Sequence, residues 1–209
     1  KDALYGKGWG LFRLKEYQAA HKAFSQFIET ALNHPALVEA SYRAAESLFK
    51  FGDWANAQTA YQRVIGSYRH DEEQRQLVIN AGYRLGECYF QQQMMDKAKN
   101  AFNLLLHEHG ASSVAPDAQY WIAEILLEQK KYTEAIHEYQ KVKDLYPRSD
   151  AVDDAQHGIA MVHFLQGEYA KARSQFKVVA DNPGSDLAGS ARFRMGECFQ
   201  LQREFNSAI

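Results

Sequence analysis

Residues 8–24 read GWGLFRLKEYQAAHKAF, and four of them, Gly8, Tyr17, Ala20 and Phe24, set a frame that returns along the whole chain. Alanines recur at Ala20, Ala57, Ala98, Ala135, Ala172 and Ala208, with successive spacings of 37, 41, 37, 37 and 36 residues. Three residues before each comes a bulky side chain: Tyr17, Trp54, Met95, Tyr132, Tyr169 and Phe205. Four residues after comes an aromatic ring wherever the chain reaches that far: Phe24, Tyr61, Phe102, Tyr139 and Phe176. Twelve residues before lies glycine or alanine: Gly8, Ala45, Gly86, Ala123, Ala160 and Gly196. Recurrence at a fixed offset in this range of periods is the mark of a repeat array.

Each repeat holds two segments with apolar residues at helical spacing, about Asp2 to Leu14 and Tyr17 to Ala31 in the first. Short turns join them: LKEY, FGDW, QKKY, QGEY and QREF. Gly52 and Gly167 suit such turns, where a positive φ costs glycine little. Pro35, Pro116, Pro147 and Pro183 are expected between units, where they stop one helix without disrupting another. The polar stretch RHDEEQRQ (residues 69–76) carries the extra length between the second and third units and is expected to lengthen a loop or a helix end. No sustained period-2 alternation occurs, so no sheet is expected. The small residue of the first helix should face the alanine of the second, letting the helices approach closely. The following aromatic should then fill the gap to the next unit, and enlarging the small site should cost about 1–3 kcal/mol.

The pattern Gly8, Tyr17, Ala20, Phe24, with Pro147 closing LYPRS, resembles the tetratricopeptide repeat family. The resemblance implies an all-α fold, a right-handed superhelical solenoid of antiparallel helix pairs, with about five and a half repeats. It divides one array into units of approximately 1–37, 38–78, 79–115, 116–152, 153–188 and a partial 189–209. Units of 36–41 residues exceed the 34 usual in that family. Their "YR-GE" first helices resemble bacterial cell-envelope members such as the Tol–Pal coordinator and the outer-membrane assembly lipoprotein. The chain opens at Lys1 on the first residues of a unit and closes at FNSAI inside a second helix, so a fragment of a longer protein is expected.

Composition narrows the function. A net charge of −2 with no basic run argues against nucleic acid as a principal partner. No apolar run approaches the roughly 20 residues of a bilayer-spanning helix, so direct membrane insertion is not expected. A protein or peptide partner is expected instead, with homo-oligomerisation through open repeat ends as an alternative.

The family resemblance places ligand residues on the first helices. Two ladders occupy that face here. One is aromatic: Tyr5, Tyr42, Tyr83, Tyr120, His157 and Phe193. The other, four residues on, is mostly acidic: Trp9, Glu46, Glu87, Glu124, Met161 and Glu197. They suggest a groove for a peptide bearing apolar and basic side chains. Against this, Arg43, Arg84 and Arg194 each precede a glutamate by three residues, and such pairs would neutralise one another. In the fourth unit Trp121 takes the arginine's place, so Glu124 is expected to lack that partner beside Tyr120 and Trp121. Tyr5, Trp9 and Phe12 form a similar set in the first unit, where Trp9 could equally cap the array. The family's carboxylate clamp for chaperone tails needs lysine and asparagine where this chain has tyrosine with glutamate or tryptophan, so that ligand is not expected.

No catalytic motif stands out. The sequence has no Gly-rich phosphate loop, no G-x-S-x-G and no H-E-x-x-H. His107 and His109 of HEH are two apart, a spacing that turns them away from a shared metal, and His157 and His163 lack a set of ligands at metal spacing. Cys88 and Cys198, in GECYF and GECF, occupy one repeat position three units apart and cannot form a disulfide within the chain. They are expected as half-buried packing residues. The chain is therefore read as a non-catalytic interaction scaffold without cofactor or metal. The alternative is a regulatory or targeting arm of a protein whose catalytic domain lies outside these residues.

Overall fold

The computed structural model describes the backbone of residues 1–207 and the side chains of residues 1–202. Of the repeat positions, the Phe205 side chain and Ala208 lie outside what is described. The described chain is all-helical, and no strand occurs among the described residues. Its helices are α1 (Asp2–Arg13), α2 (Tyr17–Thr30), α3 (Leu37–Phe51), α4 (Trp54–Tyr68), α5 (Arg75–Gln91) and α6 (Met95–His109), followed by α7 (Ala115–Glu128), α8 (Tyr132–Leu145), α9 (Ala151–Leu165), α10 (Tyr169–Ala180) and α11 (Ala188–Ser207). The bulky residue of the frame opens every described second helix: Tyr17, Trp54, Met95, Tyr132 and Tyr169. The sequence phase is thus the helix boundary.

One turn geometry is used five times. Lys15, Gly52, Gln93, Lys130 and Gly167 all take positive φ, at 62°, 91°, 60°, 58° and 76°. The amide after each donates five residues back: Glu16 N to Leu11 O, Asp53 N to Leu48 O, Met94 N to Tyr89 O, Lys131 N to Leu126 O and Glu168 N to His163 O, at 2.8–3.0 Å. These are Schellman caps, which satisfy the orphan carbonyls at a helix end. Glycine was the expected occupant only at Gly52 and Gly167. At the other three a side chain is held in the left-handed region at a cost of roughly 1–2 kcal/mol.

By contact the chain gathers into two compact units, Lys1–Val114 with α1–α6, and Ala115 onward with α7–α11. In each, consecutive helices pack as antiparallel neighbours. The five alanines Ala20, Ala57, Ala98, Ala135 and Ala172 and the five rings Phe24, Tyr61, Phe102, Tyr139 and Phe176 are all fully buried. In the first unit the Phe24 and Phe102 rings lie directly on glycine of their own first helix. A methyl added at Gly8 would fall 2.7 Å from the Phe24 ring, and one at Gly86 would fall 2.5 Å from Phe102. The ring therefore fills the space within its own pair, rather than only the gap to the next. Tyr139 does reach onward, where a methyl at Gly158 of α9 would sit 2.5 Å from its ring.

Three local expectations are refined. Pro116 lies in the first turn of α7 rather than between units, where its missing N–H removes no helical bond. The extra residues around RHDEEQRQ form a single 3-10 turn (Glu72–Gln74) capped by Asp71, and α5 reaches 17 residues. Helix α11 runs unbroken to Ser207, so the expected QREF turn is not formed.

Replacing the strained residues should separate backbone from packing. Lys15→Gly, Gln93→Gly or Lys130→Gly should each raise stability by about 0.5 kcal/mol, and Gly52→Ala should lower it by about 1 kcal/mol. No atom lies near a methyl built on Gly52, so the loss there is purely conformational. Urea midpoints of the four variants check this, and an unchanged Gly52→Ala midpoint would refute it.

Candidate protein-interaction surface

In the first unit α3 packs directly on α5, whereas the second helices make no comparable contact with one another. The second unit repeats this with α7 on α9. First helices therefore line the tighter, inner side of each unit, and both ladders belong to them.

The aromatic ladder is half core. Each ring rests on the buried ring of its own pair, with centroid separations of 6.1 Å for Tyr5–Phe24, 5.7 Å for Tyr42–Tyr61, 5.9 Å for Tyr83–Phe102, 5.7 Å for Tyr120–Tyr139 and 5.2 Å for His157–Phe176. Tyr42 is only 5% exposed and offers almost nothing outward. Tyr5, Tyr83, Tyr120 and His157 keep partly exposed edges. The Tyr5 hydroxyl donates to Glu39 at 2.8 Å. Burial, reinforced by Arg194, lowers the His157 pKa and favours the neutral ring. Phe193 of α11 is 67% exposed.

The acidic ladder differs between the units. In the first, Arg43 meets Glu46 at 2.5 Å and Arg84 meets Glu87 at 2.6 Å, and Glu46 is 7% exposed. Each guanidinium also leans over a ring of the preceding first helix, Arg43 over Trp9 at 4.5 Å and Arg84 over Phe49 at 5.4 Å. Burial opposes the Arg84 charge, but Glu87 beside it more than offsets this and raises the pKa. Trp9 and Phe12 stand edge to face at 6.1 Å, and Phe12 continues onto Tyr17 at 5.5 Å. These glutamates are neutralised members of an arginine–aromatic sandwich. Arg194 and Glu197 pair likewise at 2.8 Å in α11.

The second unit breaks this rule on α7 and α9. Trp121 replaces the arginine, yet Glu124 is not left without partners, because the Tyr139 hydroxyl donates to it and Tyr120 bonds the same carboxylate. Burial first, then Glu124, raises both tyrosine pKa values. Sequence reasoning missed Tyr139. The available signal was tyrosine in place of phenylalanine at a core position, since a buried hydroxyl needs an acceptor. Neither α7 nor α9 contains lysine or arginine, while Asp117, Glu124, Glu128, Asp153 and Asp154 all lie on them. Burial, then Asp153 and Asp150, raises the Asp154 carboxyl pKa, as expected where like charges crowd. Met161 packs partly buried against the core around Ala160 and Ala172.

Cys88 and Cys198 are fully buried rather than half-buried. Burial and then Glu87 push the Cys88 thiol up to about 12, which suits a packing residue and not a nucleophile. HEH ends α6, where Glu108 pairs with Arg69 at 2.5 Å. Among the described residues no group of His, Cys, Asp or Glu is arranged to hold a metal ion, and no helix is long and apolar enough to cross a membrane.

Helix pairs repeated in one frame, with an aromatic inner face, define a helical-repeat protein. Two family models, each described as tetratricopeptide repeat, match residues 115–182 and residues 39–70 with 80–112. Together they span more than half of the chain, which belongs to the tetratricopeptide repeat family. No curated protein matches the sequence. Among solved structures, the chain is similar to a tetratricopeptide repeat protein from Parabacteroides merdae at TM-score 0.75 and 14% identity, covering 99% of this chain and 75% of that one. It is also similar to BtubC (BKLC) from P. vanneervenii at TM-score 0.72 and 19% identity, covering 92% and 86%. A MamA protein gives TM-score 0.65 and 16% identity, covering 86% and 90%. At these identities the likeness is one of fold.

Two buried tyrosines should behave oppositely. Tyr139→Phe removes a donor from Glu124 and should cost about 1–2 kcal/mol. The Tyr61 hydroxyl is buried with no hydrogen-bond partner, so Tyr61→Phe should be neutral or gain up to about 1 kcal/mol. Paired urea unfolding curves check the contrast, and equal losses would contradict it.

Proposed function

We propose that the protein is a non-catalytic scaffold whose first-helix faces hold a protein or peptide partner. Members of the tetratricopeptide repeat family usually bind proteins. The finer reading is that the α7–α9 face, with Tyr120, Trp121, Glu124, His157 and Met161, takes a segment bearing apolar and basic side chains. Tyr5, Trp9, Phe12 and Tyr83 would supply contact area in the first unit, with Glu87, Tyr42 and Glu46 beneath them as support.

One observation carries the preference for a basic partner. Arginines neutralise the glutamates of α3 and α5, whereas α7 and α9 hold five carboxylates and no lysine or arginine. Tyrosine hydroxyls fix Glu124 without cancelling its charge. A lysine or arginine of a partner would gain the carboxylate field and the Trp121 face together. For the branch of the family, the resemblance of the "YR-GE" helices supports a bacterial cell-envelope member.

Peptides selected from a random twelve-residue display library against the whole chain test this. A family rich in lysine or arginine flanked by apolar residues should appear. Its affinity should fall about tenfold or more on Trp121→Ala or Asp154→Lys, with helical content unchanged. Tyr120 is left intact because its ring supports Tyr139. Basic peptides that bind both variants undiminished would refute the reading.

A further inference from the structure

We infer that the first unit carries a second binding site on its outer side, in the wedge between α2 and α4. Its occupant is a short partner segment with an acidic residue at its middle and an apolar residue at each end. This site does not depend on the first-helix reading, because it opens between α2 and α4 and no ladder residue lines it.

The wedge is open where it could have been closed. α2 packs on α3 and α3 on α4, but α2 and α4 do not pack comparably on each other. Between them lie two cavities of about 390 and 430 Å³ that share His21, Ala60 and Arg63. Ser41, Ala44 and Ser47 of α3 form part of the floor.

The next wedge, between α4 and α6, shows the same architecture filled. There Gln62 donates to the Tyr89 hydroxyl at 2.9 Å, Gln92 reaches Gln58 at 3.0 Å, and Arg69 bridges to Glu108 at 2.5 Å. The hollow that remains is about 150 Å³. In the repeat frame, the positions of Gln62, Leu85, Tyr89 and Leu104 are held in the first wedge by Ser25, Ala44, Leu48 and Arg63. The ion pair's positions are held by Leu32 and Ser67. Truncated walls and the missing ion pair leave the recess, although the His21 ring bonds the Ala44 carbonyl at 3.0 Å.

Charge and apolarity describe the occupant. Arg63 lines both cavities, is exposed, and makes no ion pair or hydrogen bond among the described residues. Asp53 is already committed to capping α4, accepting from Asn56 N at 3.3 Å and from its side chain at 2.8 Å. Arg63 is thus the uncommitted charge at the middle, where it fits a carboxylate. Phe51, 53% exposed, stands at one end and Leu32, 72% exposed, at the other. Glu29 beside Leu32 disfavours a second acid there. From Asn56 to Tyr68 the recess follows about 18 Å of α4, the length of a three-turn helix.

The same twelve-residue display library, panned on the whole chain, supplies the test. The expected result is a second peptide family with Asp or Glu flanked on both sides by large apolar residues. Arg63→Glu, a change at an exposed position, should weaken this family about tenfold or more. So should the triple change Ser25→Gln, Leu48→Tyr, Arg63→Leu, which transplants the filled wedge's own residues. Trp121→Ala should leave it unaffected. The inference is overturned if no such family emerges, if its binding survives the triple change, or if Trp121→Ala removes it.

Discussion

Every other feature rests on the contact between a fully buried ring of the second helix and a small residue of the first. Phe24 on Gly8 and Phe102 on Gly86 leave no room for a methyl, so helix separation is set by ring thickness. Burying such a ring contributes about 2–3 kcal/mol, and each is buried completely. The contact also fixes rotation of the first helix. With glycine turned inward, the residue three positions earlier must lie on the flank of the same ring. The aromatic ladder is therefore a consequence of the core, and its exposed edges are held rigidly by what lies behind them. A rigid aromatic edge loses little freedom on meeting a partner.

The frame, the starts of the described second helices and their buried alanines and rings were legible, because they depend on side-chain size at fixed spacing. Tyr17, Trp54 and Tyr132 mark helix starts in the sequence and in the structure alike. What could not be read depends on which of two competing partners a side chain finds. Lys15, Gln93 and Lys130 give no sign of left-handed backbone, since the Schellman bonds impose it on whatever residue stands there. Tyr42 and Glu46 share positions and kinds of contact with the partly exposed Tyr83 and Glu87, so the repeat frame does not tell the buried pair from the exposed one. The neutralising Arg–Glu pairs were visible at spacing three. The stacking of those arginines on Trp9 and Phe49, which lie far off in the chain, was not.

The two units spend the same repeat positions on different electrostatics. In the first, the position two before the small residue holds Arg43 and Arg84, and each cancels a glutamate in its own helix. The outer recess then owes its single uncommitted cation, Arg63, to a position that carries Leu104 in the next repeat. Single substitutions within one frame thus change the charge of a face without altering a helix.

Tyr139 accompanies the loss of the ladder arginine on α7 and α9, while α11 keeps Arg194 paired with Glu197. At its position in α9 the arginine is replaced by Gly158, and a methyl there would meet the carbon bearing the Tyr139 hydroxyl at 2.5 Å. An arginine in that place would have to displace the phenol. The phenol in turn supplies Glu124 with the donor that an arginine at residue 121 would otherwise provide. Tyr139 thereby takes the place of the donor at residue 121, which carries tryptophan. In the first unit the corresponding phenol, Tyr61, finds no acceptor, while Arg84 and Glu46 lie near it already paired with other groups. Hydroxyl and guanidinium compete for the same carboxylate, and whichever gains it determines whether the face above is neutral or anionic.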